Sequence, residues 1–156
     1  MDTNLLFTAA LGLQPPWEVK SLEFNAGERR LDILVDFQRG ASFPCPECGA
    51  PSKAHDTEEK TWRHLDFFQH AAYLTARVPR CHCETHGVKT VEVPWGRKGS
   101  GFTLMFEALI MVLVREMPVN AVARLVGEHD TRIWRVLNHH VEEARAQLDF
   151  SRVETI

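Results

Sequence analysis

Cys45-Pro46-Glu47-Cys48-Gly49 and Cys83-Glu84-Thr85-His86-Gly87 decide how this chain is read. Each stretch places two metal-ligating residues with two others between them and a glycine directly behind. That is the pattern of a tight turn whose backbone amides face the ligand atoms. Together the two knuckles supply Cys45, Cys48, Cys83 and His86 as a tetrahedral zinc set. Four protein ligands leave no open coordination position, so the expected Zn2+ is structural. Cys81 and His82 stand close by as further candidates. Pairing Cys81 with Cys83 would leave a single residue between ligands and a strained chelate loop, whereas Cys83 with His86 repeats the first knuckle. The 34 residues between Cys48 and Cys83 exceed the span of a compact finger, so the knuckles are expected to cap the ends of a small antiparallel sheet.

Other cysteine chemistries fit less well. Both knuckles are flanked by Pro, Glu and Gly instead of apolar core sequence, which argues against unligated cysteines packed as small hydrophobes. A redox pair would open a helix after a parallel strand, and Cys45 does not. A zinc deaminase needs a His-x-Glu upstream, and the first histidine is His55.

The 156 residues, 44% hydrophobic and 25% charged, suit one ordinary domain or two small ones. A net charge of -3 gives no global argument for nucleic acid, so any such reading rests on local pattern. No basic segment opens the chain, and the apolar run 108–114 is far too short to cross a bilayer. A cytoplasmic protein with reduced cysteines and no membrane partner is expected.

Working outward, Thr3 or Asn4 caps a helix carrying Leu5, Leu6, Ala9 and Ala10, ended by Gly12, which makes 1–16 an N-terminal arm. Strands are expected over 17–24 and 31–37, joined by a turn at 25–28, and again where Leu74, Ala76 and Val78 alternate with polar neighbours before the second knuckle. The stretch 53–60, after the first knuckle, is polar, and Val91 and Val93 suggest one more short strand. Residues 17–94 thus form a strand-rich zinc module, and 95–101, rich in glycine, a linker. Beyond it Phe102, Phe106, Leu109, Leu113 and Met117 recur at helical spacing, predicting a deeply buried helix. Two further helical patterns meet near Gly127, and 102–150 form an all-helical module. The fold class is α+β: a small antiparallel-sheet zinc-binding module followed by an all-α helix-turn-helix.

Ala123, Gly127, Ile133 and Val136 fill the small, turning and anchoring positions of a helix-turn-helix, with Val122 and Val126 completing its core. Burial of Ile133 and Val136 turns Arg132, Arg135 and His139 outward. His129 and Thr131 fall at the helix N-terminus, where amides and short polar groups hold phosphate, and Asp130 caps it. Trp134 and Asn138 complete the candidate DNA-reading set, and Arg97 and Lys98 are candidates for phosphate contacts. The competing reading is a plain helical hairpin whose arginines pair with Glu142 and Glu143.

Further residues add a resemblance: Leu11-Gly12-Leu13, Pro16-Trp17, Phe43-Pro44 leading into the first knuckle, Trp62-Arg63-His64-Leu65-Asp66, Arg77-Val78-Pro79-Arg80, His86-Gly87-Val88, Pro94-Trp95 and Gly101-Phe102-Thr103. In this order they resemble the N-terminal region of ISL-three family insertion-sequence transposases. The resemblance implies zinc at Cys45, Cys48, Cys83 and His86, and recognition of double-stranded DNA at the transposon's terminal inverted repeats. It also implies a separate RNase H-like catalytic domain with acidic residues. Asp149-Phe150-Ser151 resembles the run before that domain's first strand, so 151–156 would be its start and this chain no enzyme by itself. A nucleoid-associated location follows, and the apolar helix would pack on that domain or in a homodimer. The chain departs from the family pattern at Cys81, where a non-cysteine is expected, and at Gly96, which replaces a more usual alanine. A free-standing zinc-containing regulator, a truncated relic and a zinc-held interaction module are the rival readings.

Overall fold

Alternating burial along two strands builds the centre of the structure, a computed structural model that describes residues 2–149 and 151. Strand β1 (Trp17–Asn25) pairs antiparallel with β2 (Arg30–Phe37). Leu31, Ile33 and Val35 of β2 are buried and lie beside Ala72, Leu74 and Ala76 of β5 (His70–Cys83). That β2–β5 pairing is parallel, where an antiparallel sheet was expected; the other strand pairs are antiparallel. With β3 (Ser42–Pro44), β4 (Pro51–Phe67) and β6 (Gly87–Thr90), the sheet runs β1-β2-β5-β4-β3, and β6 pairs with β5.

The polar stretch 53–60 belongs to the 17-residue β4. Its alternation carries no apolar signal because β5, not a hydrophobic face, holds it in place: cross-strand ladder bonds and an Arg80–Asp56 ion pair supply the partners. The last strand, β6, lies just before Val91, whose amide continues the pairing by donating to Pro79 O at 2.9 Å.

Helix α1 (Thr3–Ala10) is capped by Asp2, whose side chain accepts from the Asn4 amide. A bulge in β1 between Val19 and Ser21 breaks the ladder there, and α1 takes up the released backbone groups. Asn4 Nδ2 donates to Lys20 O at 2.9 Å, and the Val19 amide donates to Thr8 Oγ1 at 2.9 Å. The arm is therefore docked, with Phe7, Leu11 and Leu13 packed on the core.

The chain divides into two compact units, Met1–Phe106 and Glu107–Ile156. The division falls after the expected linker, and the reason is aromatic. Trp95 is buried edge-on between Trp17 and Trp62, with ring centroids 4.8 and 5.6 Å away, and Phe37 and Phe43 pack round Trp17. Gly96 follows where any Cβ would lie 2.9 Å from Trp62 Nε1. The chain then runs alongside β4, Gly101 O accepting from the Arg63 amide and Arg63 O from the Thr103 amide, both at 2.9 Å. The Trp62-Arg63-His64 stretch is thus the seat for 95–103. Arg63 is buried, bonded to Asp66 at 2.5 Å and lying over the Phe106 ring at 4.8 Å.

The remaining elements are helices: α2 (Leu104–Glu116), α3 (Val119–Val126) and α4 (Asp130–Ala146). Helix α2 buries Phe106, Glu107 and Ile110, whereas Leu104, Met105, Leu109 and Val112 are exposed. The expected deeply buried helix is corrected to one with a single buried stripe at i, i+1 and i+4. Spacing shows that an apolar face exists on such a helix without showing which side is covered. No described helix is long and apolar enough to cross a membrane. The strand-like end expected over 152–156 lies outside the described residues.

Candidate metal centre and nucleic-acid interface

The first knuckle forms because Gly49, at φ 74°, takes the left-handed conformation that a side chain disfavours. Its amide donates to Cys45 O at 2.8 Å, and the Cys45 amide donates to Ala50 O at 2.9 Å, closing the turn between β3 and β4. Gly87, at φ 71°, does the same between β5 and β6. The two turns meet. Cys48 Sγ lies 3.6 Å from Cys83 Sγ, and His86 Nδ1 lies 3.8 Å from Cys45 Sγ and 3.6 Å from Cys83 Sγ. All four ligand atoms fall within 4.8 Å of one another. A tetrahedral zinc with thiolates at about 2.3 Å requires sulfur-to-sulfur edges of about 3.8 Å. The donor set and its spacing therefore fit zinc. An ion pair of Glu47 with Lys89 at 2.9 Å ties one knuckle to the other.

Local electrostatics favour thiolates at two of the three sulfurs. Amides of Glu47 and Cys48 aimed at Cys45 lower its thiol pKa, and amides of His86 and Thr85 do so for Cys83. At Cys48 the Ala50 amide acts in the same direction, but the Cys83 sulfur and burial outweigh it and raise the pKa. A cation in the middle of the set would remove that conflict.

Strand geometry separates the sequence alternatives. Cys81 shares the inward face of β5 with Cys83 but sits two residues short of the cluster, 3.6 Å from Ser52 O and within the hydrophobic core. Burial raises its thiol pKa, which is unfavourable for a ligand. His82 points to the opposite, exposed face.

In the helical unit, Val122 and Ala123 of α3 and Ile133 and Val136 of α4 are buried, and Gly127, at φ 70°, ends α3 with a left-handed turn. The Glu128 amide donates to Ala123 O at 3.0 Å across that turn. Helix α4 is capped by His129, whose Nδ1 accepts from the Thr131 amide at 3.3 Å. Asp130, expected as the cap, follows it, and its Oδ1 also accepts from that amide, at 2.7 Å.

The exposed stripe of α4 is Thr131, Trp134, Arg135 and Asn138, at i, i+3, i+4 and i+7. It is rotated from the expected Arg132, Arg135, His139 face, because Arg132 lies half-buried in an ion pair with Glu128 at 2.5 Å and His139 is half-buried. The Glu128 pairing, and not one with Glu142 or Glu143, is the signal that sequence reasoning missed; the i−4 spacing of a glutamate contained it. Arg135 has no ion-pair partner among the described residues. In the sheet unit, Arg97 and Lys98 line a groove of about 580 Å³ with Lys60, Thr61, Trp62 and Ser100.

A ribbon of paired knuckles followed by a glycine-turned helix pair defines a zinc-ribbon and helix-turn-helix protein. Residues 41–86 match the zinc-finger of transposase IS204/IS1001/IS1096/IS1165, and residues 91–141 match the helix-turn-helix domain of transposase family ISL3. The chain is 31% identical over 142 residues to the transposase for insertion sequence element IS1557 of two Mycobacterium tuberculosis strains, CDC 1551 / Oshkosh and ATCC 25618 / H37Rv. That likeness covers 83% of this chain and 32% of the relative, so the chain spans about a third of the length of the curated relatives it matches. No solved structure matches the chain. The chain therefore carries a zinc ribbon and a helix-turn-helix of the ISL3 transposase type, and the cofactor of its ribbon is structural zinc.

Proposed function

We propose that this chain recognises double-stranded DNA at the terminal inverted repeats of an insertion sequence. In this reading Cys45, Cys48, Cys83 and His86 hold the zinc that fixes the ribbon, and α4 enters the major groove. The observation that carries it is the stripe of Thr131, Trp134, Arg135 and Asn138 exposed directly opposite the buried Ile133 and Val136. Arg135 is the principal reader of guanine edges or phosphate, and Trp134, 48% exposed, stacks on the backbone sugars. His129, Arg132 and His139 border the stripe and contribute phosphate contacts. Arg97 and Lys98, on the groove of the sheet unit, contribute phosphate contacts of their own.

These roles are recognition, and the cutting and joining of DNA belong to other parts of the transposase. The protein acts in the cytoplasm at the chromosome. The test is fluorescence anisotropy of a duplex carrying the inverted repeats next to the protein's own reading frame, measured across salt concentrations. Arg135→Ala should weaken binding about tenfold or more, whether by losing a base contact or by reducing the salt slope by about one. Unchanged affinity and slope would remove α4 as the reading helix.

A further inference from the structure

Helix α4 carries a second group of metal-ligating side chains, none of them a ligand of the ribbon. Successive helical residues turn by about 100°, which sets Glu143 about 40° from His139 and about 60° from His140, one turn further on. Its carboxylate therefore lies over the gap between the two rings, whose centroids are 5.0 Å apart. The ligand atoms of His139, His140 and Glu143 lie within 4.8 Å of one another.

Glu107 determines how His140 meets this group. It is 1% exposed on α2, and its Oε2 lies 3.0 Å from His140 Nε2. A carboxylate only accepts, so in the neutral imidazole, the form that binds a metal, Nε2 carries the ring proton and Nδ1 presents its lone pair. That lone pair faces Glu143 Oε2 at 3.7 Å, too far for a hydrogen bond and acceptor against acceptor. A cation between them satisfies both. Carboxylate, imidazole and metal in line is the arrangement in which one histidine nitrogen donates to a carboxylate and the other binds the ion.

We propose that His139, His140 and Glu143 form a second, exchangeable site for a divalent ion of the zinc class, with Glu107 as the residue that positions His140. Two imidazoles and one carboxylate on a single helix leave further coordination positions to water, which makes the site weaker than the ribbon. Because His140 is also held by α2, occupancy fastens the C-terminal half of α4 to that helix.

The test uses the full chain with its ribbon loaded, dialysed against micromolar free Zn2+ and analysed for metal per chain. Two ions are expected for the unaltered chain, and one each for His139→Ala and Glu143→Gln, whose helix content should remain unchanged. A single ion in the unaltered chain, or two in both variants, would overturn the proposal. Nitrogen NMR of the histidine rings supplies a second readout: the second equivalent should shift His140 Nδ1, and an unmoved resonance counts against the site.

Discussion

Cys48 and Cys83 stand 3.6 Å apart, sulfur to sulfur, although 35 positions separate them along the chain. Only the pairing of β4 with β5 brings them together, since the first knuckle opens β4 and the second closes β5. The metal is therefore a clasp on one end of a sheet whose buried face carries an aromatic and aliphatic core reaching to Phe43 and Cys81, two residues from the ligands Cys45 and Cys83.

Chelation should release that clasp without dissolving the whole sheet. Structural zinc contributes on the order of 10 kcal/mol to modules that lack any other core, but here a buried cluster including Trp17, Trp62 and Trp95 persists. Hydrogen exchange after zinc removal should accelerate most in 42–52 and 81–90, with a lower melting temperature. Uniform loss of protection across all strands would show that the metal holds the entire unit.

Cys81→Ala should leave the ribbon with its full complement of one zinc, whereas Cys83→Ser should lose it. Cys81 packs against the core and Ser52 O, outside the ligand cluster. Its replacement removes one buried sulfur, at a cost of about 1 kcal/mol. Metal analysis on the two variants decides the matter, and zinc lost from Cys81→Ala would reassign the ligands.

Gly96→Ala should destabilise the sheet unit by about 1–3 kcal/mol, the usual cost of overpacking. The added methyl would meet Trp62 Nε1 at 2.9 Å and Cδ1 at 3.2 Å, and that indole is itself wedged against Trp95. Glycine at this position is thus matched to the way Trp62 packs. Urea denaturation monitored by tryptophan fluorescence measures the loss, and an unchanged midpoint would mean that the ring has room to move.

His64 makes stability depend on pH. Burial, aided by the neighbouring Arg63 charge, pushes its pKa down to about 4 from the ordinary 6.5. The unfolded chain therefore binds the proton more readily than the folded one, so this contribution is complete above pH 6.5 and is lost as pH falls towards 4. Its full size is up to about 3 kcal/mol. His64→Gln should flatten the stability profile between these limits relative to the unaltered chain, even though the replacement also disturbs the 2.8 Å contact of His64 Nδ1 with Thr103 Oγ1. Parallel profiles would assign the acid sensitivity to other groups.

Local chemistry made much of this legible. A cysteine pair followed by glycine is a turn wherever it occurs, because only the left-handed glycine lets the amides face the sulfurs. The alternation of Leu31, Ile33 and Val35 needed no partner to mark a strand with one buried face. The same holds for Gly127 between two helices.

The two knuckles, the first hairpin and the three-helix end could be read from residue order, since each depends on residues a few positions apart. The relations between distant segments could not. Folding decided that β2 pairs parallel with β5, that the polar 53–60 becomes strand, and that Trp95 carries the supposed linker into the core. It also decided which stripe of α2 is covered and which side of α4 keeps an exposed arginine. In each case the stabilising partner lies tens of residues away, and hydrogen-bond ladders and buried area are properties of the pair, written in neither segment alone.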